Sequence, residues 1–428
     1  MRRAPRALSA LLARRFRLTF RGWAMLASGT VLVIAAYAVG RTELLYLGVF
    51  LVAAPLLALA VVRFRRVQMG VSRRFVPHLA SAGRQLEVSL DVRNRGTSRT
   101  ASATWRDGLP WSPFTSRHGT LHPLAPYRNS RSTGTSTTVD YRVVPPRRGI
   151  VDIGPFIVDF ADPFELASGE IVVGERHKLV VTPAVVTLPD AGQSIAADEG
   201  SARALQHRSS ANEDELMTRE YRAGDPLRRV HWKASARHGE LMVRQEEQRS
   251  HAQARVLIDT RRGGYRDVQR ASANEPESES FEWLVAFAGS LVFRLQQSGF
   301  TVELVETAAR QLASAELHDE LLESLATVEL LDEPRHDDQL YLRPDPGRSL
   351  GSVFALLSDA EPHVVDRLAA QRVHFDLAVA FVVAGRREAV AEPLAEAGWL
   401  CVEVLPDDDP VDVWLTVARA REEAGVRG

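Results

Sequence analysis

Two groups of residues have types and spacing that could do chemistry. Asp259 closes the apolar run Arg255–Asp259, and Asp359 closes the run that begins at Ser352. If both runs are strands of a parallel sheet, the two carboxylates fall at strand carboxyl ends, where such sheets bind ligands. Two carboxylates there could share a hard cation such as Mg²⁺. The second group is the stretch from Arg219 to Arg244, in which Arg219, Arg222, Arg228, Arg229, Lys233, Arg237 and Arg244 crowd around Tyr221, His231, Trp232 and His238. Asp225 followed by Pro226 reads as a helix start. Leu227, Val230 and Ala234 recur at helical spacing, and Gly239 supplies the stop, so a short helix over about 226–237 is expected. Leu241-Met242-Val243 then reads as a strand. On this reading Val230 and Trp232 pack as core, and the arginines pair with nearby acids or face a partner.

Enzyme signatures are lacking. The chain has no Gly-x4-Gly-Lys phosphate loop, no His-Glu-x-x-His helix and no Gly-x-Ser-x-Gly elbow. His231 and His238 stand two helical turns apart, but Gly239 ends the helix beside the second. Cys401 is the one cysteine, which excludes an internal disulfide and any multi-cysteine metal site. The net charge of −1 over 428 residues gives no general attraction to nucleic acid. The arginines of the 219–244 stretch have Glu213, Asp214, Glu215, Glu220, Glu246 and Glu247 close in sequence to neutralise them.

The elements that must position these residues follow from periodicity. Residues 22–40 and 44–62 carry no charge. At ~1.5 Å per residue each spans about 28 Å, close to the hydrocarbon thickness. Arginines 2, 3, 6, 14, 15, 17 and 21 precede the pair and arginines 63, 65, 66, 73 and 74 follow it, against Arg41 alone in the turn. The positive-inside rule puts both flanks in the cytoplasm. A cleaved signal peptide is the rival reading, disfavoured by the long basic leader and the immediate second span. The expected organisation is a basic cytosolic leader (1–21), a transmembrane hairpin (22–67), a β-sandwich-like module (68–188), a polar linker (189–218) and an α/β domain (219–428). Leu86, Val88, Leu90 and Val92 alternate with polar residues as a half-buried strand should. Residues 112–138, rich in Ser, Thr, Gly and Arg, read as a surface loop. Beyond residue 253, apolar strands alternate with helices, which argues for a mainly parallel, Rossmann-like sheet covered on both faces.

The pattern Arg219-x-Tyr221-x-x-Gly224-Asp225-x-x-Arg228-x-Val230-x-Trp232-x-x-x-Ala236-Arg237 resembles the signature of domain-of-unknown-function family 58. Arg148-Gly149, Asp162-Pro163-Phe164 and Val181-x-Pro183 are similar to its other recurrent pieces. The resemblance implies a bacterial-type plasma-membrane protein with a cytosolic von Willebrand A-like domain. It also implies an association with MoxR-type AAA+ ATPases and transglutaminase-like membrane proteins. Von Willebrand A-type domains hold Mg²⁺ with Asp-x-Ser-x-Ser. Here the run is Asp259-Thr260-Arg261-Arg262-Gly263, with arginine and glycine in the serine places, which weakens cation binding. The expectation is therefore a non-enzymatic, membrane-tethered adaptor without a cofactor, contacting the lipid bilayer and a protein partner but no specific nucleic acid. Arg219, Tyr221, Gly224, Asp225, Arg228, Trp232, Ala236 and Arg237 are its candidate contact residues, and Asp259 and Asp359 a degenerate metal pair. The alternatives are a Mg²⁺-dependent protein-binding module or an uncharacterised enzyme.

Overall fold

Alternation of apolar and polar residues sets the first unit, Met1–Thr182. The computed structural model describes residues 14–65, 67–112, 117–127, 133–190, 218–221, 230, 232–244, 253–270, 277–312, 318–332, 351–383 and 387–426. The described residues open with a strand, β1 (Arg14–Leu18), followed by two helices, α1 (Phe20–Val39) and α2 (Thr42–Phe64). Ten strands follow: β2 (Met69–Val76), β3 (Ala80–Ser81), β4 (Leu86–Asn94), β5 (Ala103–Asp107), β6 (Arg117–Leu121), β7 (Ser136–Val143), β8 (Gly149–Ile153), β9 (Phe156–Ala161), β10 (Ala167–Val173) and β11 (His177–Thr182). They form three sheets ordered β1-β10-β9-β5-β6, β2-β4-β7 and β3-β11-β8. The inward residues Leu86, Val88, Leu90 and Val92 of β4 are buried, as the alternation predicts, and share one core with Trp105, Phe156, Val158 and Leu179 from the other sheets. The Trp105 ring lies 5.8 Å from Tyr141 and 5.7 Å from Phe156.

Two expectations are corrected here. The basic leader is not wholly separate from the β-rich part: its residues 14–18 pair antiparallel with β10, Leu18 opposite Ala167 and Arg14 opposite Ile171. Periodicity missed β1 because it is short and arginine-rich, and only its partner strand makes it extended. The stretch 112–138 is not all loop, since it contains β6, whose Gly119 lets the Trp105 indole sit against the backbone.

Both helices are long and apolar enough to cross a membrane, and only 17% and 22% of their most apolar windows is buried, unlike core helices. They cross at Gly29 and Gly48. A Cβ on Gly29 would lie 2.9 Å from the Gly48 carbonyl oxygen, and one on Gly48 would lie 2.9 Å from the Val33 nitrogen. Small residues at such a crossing let two apolar helices approach closely where lipid supplies no hydrophobic drive.

The second unit, Pro183–Gly428, is organised among the described residues by five strands, of which the central ones are buried on both faces and the edge strands only in part. These are β14 (Gln253–Ile258), β15 (Thr301–Glu306), β16 (Ser352–Leu357), β17 (Leu377–Val383) and β18 (Leu400–Val404), all parallel, in the order β15-β14-β16-β17-β18. Ahead of them lies a ribbon of β12 (Thr218–Glu220) and β13 (Met242–Arg244) with α3 (Trp232–His238) between. The sheet is covered by α4 (Glu279–Gln297), α5 (His318–Thr327), α6 (Pro362–Gln371), α7 (Glu392–Glu396) and α8 (Pro410–Val426). Ser278 caps α4, accepting from the Phe281 N–H at 3.1 Å. Phe281, Leu284, Phe287 and Leu291 of α4 join Val256, Phe354, Phe381 and Trp414 in one core, and Val364, Leu368, Leu394 and Trp399 form another with the opposite sheet face. Residues 183–190 belong to this unit and not to the β-rich one. Leu188 is in its core, the Val186 N–H donates to Ser290 Oγ at 2.9 Å, and the Trp414 indole donates to the Pro189 carbonyl at 3.1 Å.

Candidate functional site

In the order β15-β14-β16 the chain leaves β14 toward one side and returns to β16 on the other, so the strand order reverses between β14 and β16. A crevice opens at the carboxyl ends at such a point. Asp259 follows β14, Thr307 follows β15, and Ser358-Asp359 follow β16, so the parallel pairing brings all four to one edge. The Asp259 N–H donates to the Leu356 carbonyl at 2.9 Å and the Thr307 N–H to the Ile258 carbonyl at 3.1 Å, each extending a ladder past its strand. The Thr307 hydroxyl donates to Asp259 Oδ1 at 2.5 Å and accepts from the Thr260 N–H at 3.1 Å. The Thr260 hydroxyl accepts from the Ala308 N–H at 3.2 Å, and the Tyr265 hydroxyl donates to the Asp259 carbonyl at 2.5 Å. The Gly264 carbonyl accepts from the Asp359 N–H at 2.8 Å and from the Ser358 hydroxyl. A Cβ on Gly264 would stand 2.8 Å from Asp259 Oδ2, so any larger residue there must displace the carboxylate or the turn.

The result is a closed knot. Asp259 is only 1% exposed, and its Oδ2 has no hydrogen-bond partner among the described residues. Burial raises its pKa above the ordinary carboxylate range, against the opposing pull of the Thr307 hydroxyl and the Arg261 N–H. The arginines of the following loop are each engaged with an acid: Arg261 with Glu361, Arg262 with Glu277, and Arg266 with Asp359 at 3.3 Å. Arg261 holds the Glu361 carboxyl below its usual range.

The two aspartates expected from sequence thus reach the same edge. The Thr307 and Ser358 hydroxyls donate to Asp259 and Gly264, Asp359 faces Arg266, and among the described residues no group of three or more His, Cys, Asp or Glu converges. A buried acid with a raised pKa makes stability fall as pH rises from its unfolded value toward its folded one, since the folded state holds that proton more tightly. Asp259→Asn, neutral at every pH, is therefore expected to melt at or above the wild-type temperature at neutral pH. The two melting curves should converge in acid. A lower melting temperature for the Asn variant at neutral pH, together with a rise on added Mg²⁺ in the wild type alone, would show instead that the carboxylate is held by a cation.

The 219–244 stretch forms its own ribbon. Arg219 pairs with Val243 across it, and the half-buried Tyr221 donates its N–H to the Leu241 carbonyl at 2.8 Å. Gly224, Asp225 and Arg228 lie outside the described residues, as does the expected helix start at 226. Gly239 ends α3 at φ 77°, the left-handed conformation read from the sequence. Val230 and Val243 are buried against each other, and Ser235 Oγ ties helix to strand by accepting from the Met242 N–H at 2.8 Å. Trp232 is the correction: expected in the core, it is 68% exposed, with Ala236 and Arg237 also exposed. The buried contact with Val243 is made by Val230, which precedes α3, and the short helix leaves Trp232 on its outside. Sequence reasoning passed over Gly264, Tyr265, Thr307 and Ser358. The signal for the last two was their place directly after an apolar strand, the same one that marks Asp259 and Asp359.

No curated protein matches the chain. The chain is similar to the CARDB domain of the PF1109 protein from Pyrococcus furiosus, crystallised in complex with di-metal ions, at 14% identity over 28% of this chain and 90% of that one, with a TM-score of 0.18. The solution structure of the same domain matches at 13% identity over 26% and 93%, with a TM-score of 0.17. A Paenibacillus sp. cycloisomaltooligosaccharide glucanotransferase, complexed with cycloisomaltoheptaose, matches at 11% identity over 78% of this chain and 53% of that one, with a TM-score of 0.18. At these scores none of the three bears on fold or chemistry. The match that coincides with the site is a family one: residues 217–310, which carry the ribbon, β14, the Gly264 turn, α4, β15 and Thr307, match the family described as "Protein of unknown function DUF58".

Proposed function

We propose that the chain is a non-enzymatic, membrane-tethered adaptor. Its α1–α2 hairpin crosses the plasma membrane, and both units stand on the cytoplasmic side. Support for a single side comes from β1 and β10: the strand before the hairpin and a strand after it share a sheet, so both flanks must lie on one face of the bilayer. The arginine-rich flanks assign that face to the cytoplasm. We read the sheets of the first unit as a β-sandwich-like module and the parallel sheet of the second as a von Willebrand A-like domain. In the latter, Asp259 serves as an internal tie of the crevice loops.

The observation that carries the adaptor reading is the exposed Trp232, set beside exposed Ala236 and Arg237 within the family-matched segment. A tryptophan kept out of the core has the character of an interface anchor. A MoxR-type AAA+ ATPase is the partner class we assign. The test is binding of a purified MoxR-type ATPase to the full chain in detergent. Trp232→Ala is expected to change stability by no more than about 0.5 kcal/mol, as surface substitutions do, while binding weakens by ~30-fold or more, the loss of about 2 kcal/mol that defines an interface hot spot. Unchanged binding by the variant, or none by the wild type, removes the proposal.

A further inference from the structure

The Asp162-Pro163-Phe164 motif was left without a role by the adaptor reading, yet it sits where the chain enters the bilayer. The turn between β9 and β10 is tied to the start of α1. The Thr19 hydroxyl donates to the Glu165 carbonyl at 2.5 Å, the Thr19 N–H to the Leu166 carbonyl at 2.9 Å, and Arg21 pairs with the Glu165 carboxylate at 2.7 Å. Gly22 lies so close that a Cβ there would fall 2.2 Å from the Leu166 carbonyl oxygen. The turn is held in one shape: Asp162 accepts from the Phe164 N–H at 2.9 Å and the Ala167 N–H at 2.6 Å, and Glu165 adopts φ 56°. Its tip, Phe164, is 75% exposed. The last turn of α2 reaches the same place, because a Cβ on Gly169 of β10 would meet Val62 at 3.0 Å.

Exposed aromatics mark both ends of the hairpin. Tyr37 and Tyr46 flank its turn, and Phe20, Trp23 and Phe64 lie at the end next to the β-rich unit, with Arg21 and Arg63 beside them. That is the distribution of a helix pair with aromatic belts at both interfaces. Phe164 extends the second belt from helix to turn. An apolar ring next to arginines suits the boundary between headgroups and acyl chains.

Resting on the reading that α1 and α2 cross the bilayer, we propose that the 162–166 turn is a membrane-contacting anchor, with Phe164 seated among the lipid headgroups and upper acyl chains of the leaflet that α1 enters. The β-rich unit then touches lipid at three points, α1, α2 and this turn, which fixes its tilt over the bilayer.

The test uses the full chain in liposomes of mixed zwitterionic and anionic phospholipid, on a Cys401→Ala background. Single cysteines replace Phe164, Phe50 in mid-α2, or Arg176 beyond the far end of β10, and each carries an environment-sensitive fluorophore. Nitroxide lipids labelled near the headgroup are expected to quench the probe at 164 and blue-shift it relative to 176, and mid-chain nitroxides to quench that at 50. If 164 behaves like 176 while 50 is quenched, the anchor is wrong and the crossing stands. If none is quenched, the crossing reading fails and takes the anchor with it. As an independent check, Phe164→Ser should lower the melting temperature in liposomes but not in detergent. An equal change in both would show that the ring supports the fold and not the membrane contact.

Discussion

Asp107→Ala is expected to destabilise the β-rich unit by about 3–5 kcal/mol, the loss found when one partner of a buried ion pair is removed. For a unit of this size that is a fall of roughly 6–20 °C in melting temperature. The side chains of Arg73 on β2 and Asp107 on β5 are 1% and 0% exposed, and they join two different sheets. Arg73 Nε donates to Asp107 Oδ2 at 3.0 Å, a second guanidinium nitrogen donates to Oδ1, and the Tyr141 hydroxyl of β7 donates to Oδ2 at 2.5 Å. The remaining guanidinium nitrogen donates to the Glu175 carbonyl at 3.0 Å and lies 2.8 Å from His177 Nδ1. Burial and the Asp107 charge both raise the Tyr141 pKa, so the phenol stays a donor to the carboxylate. Removing Asp107 leaves a guanidinium charge with no counter-ion inside the core and frees the tyrosine hydroxyl as well. Replacing the pair together, Arg73→Met with Asp107→Leu, should recover most of the loss, because the desolvation cost disappears with the charges. Differential scanning calorimetry of the full chain in detergent measures both. An Asp107→Ala variant that melts with the wild type would mean that water reaches the guanidinium and that the three strands are not clamped by this network.

Gly22→Val is expected to cost about 1–3 kcal/mol, the range for forcing extra atoms into a packed site, and to loosen α1 from the β-rich unit. The new Cβ would overlap a backbone carbonyl oxygen that cannot rotate away, since the Leu166 carbonyl also accepts from the Thr19 N–H. The helix must therefore shift, and the Thr19 and Arg21 contacts with Glu165 go with it. The sensitive readout is limited trypsin cleavage at Arg15 and Arg17, which β1 pairing with β10 should shield in the wild type. Faster cleavage in Gly22→Val, with no change in Ala24→Val on the exposed side of the same helix, is the expected result. Equal cleavage rates in all three would show that β1 holds to β10 without the helix contact.

Much of the architecture was legible because hydrophobic period reports burial directly. The uncharged runs at 22–40 and 44–62 became α1 and α2, with α1 starting two residues earlier and ending one sooner and α2 extended by two residues at each end. The alternation of Leu86 to Val92 became a strand with one buried face, and the apolar runs at 256–258 and 352–357 became strands buried on both. Asp259 and Asp359 were legible for the same reason, as polar residues stopping an apolar run. What could not be read was anything set by a partner distant in sequence. The strand identity of 14–18 depends on β10 across the hairpin, and that of 117–121 on β5. Trp232 misled because the residue types of a segment are the same whether an aromatic among them is covered or bare.

The Arg73–Asp107 clamp shows the same limit from the other side. Two charged residues 34 positions apart look like ordinary surface residues until three strands fold around them.

For this protein the sequence by itself determined the element types, the apolar hairpin with its arginine flanks, and the polar residues at the strand ends. These follow from local chemistry: the length of an apolar run, the period of burial and the conformations glycine and proline permit. Tertiary structure alone decided which edges those residues share. It closed Asp259 into a knot of hydroxyls and backbone donors, turned Trp232 outward, and pinned the Phe164 turn to the start of α1. Each of these depends on contacts between segments far apart in the chain, and no local pattern encodes a neighbour that the chain has yet to meet.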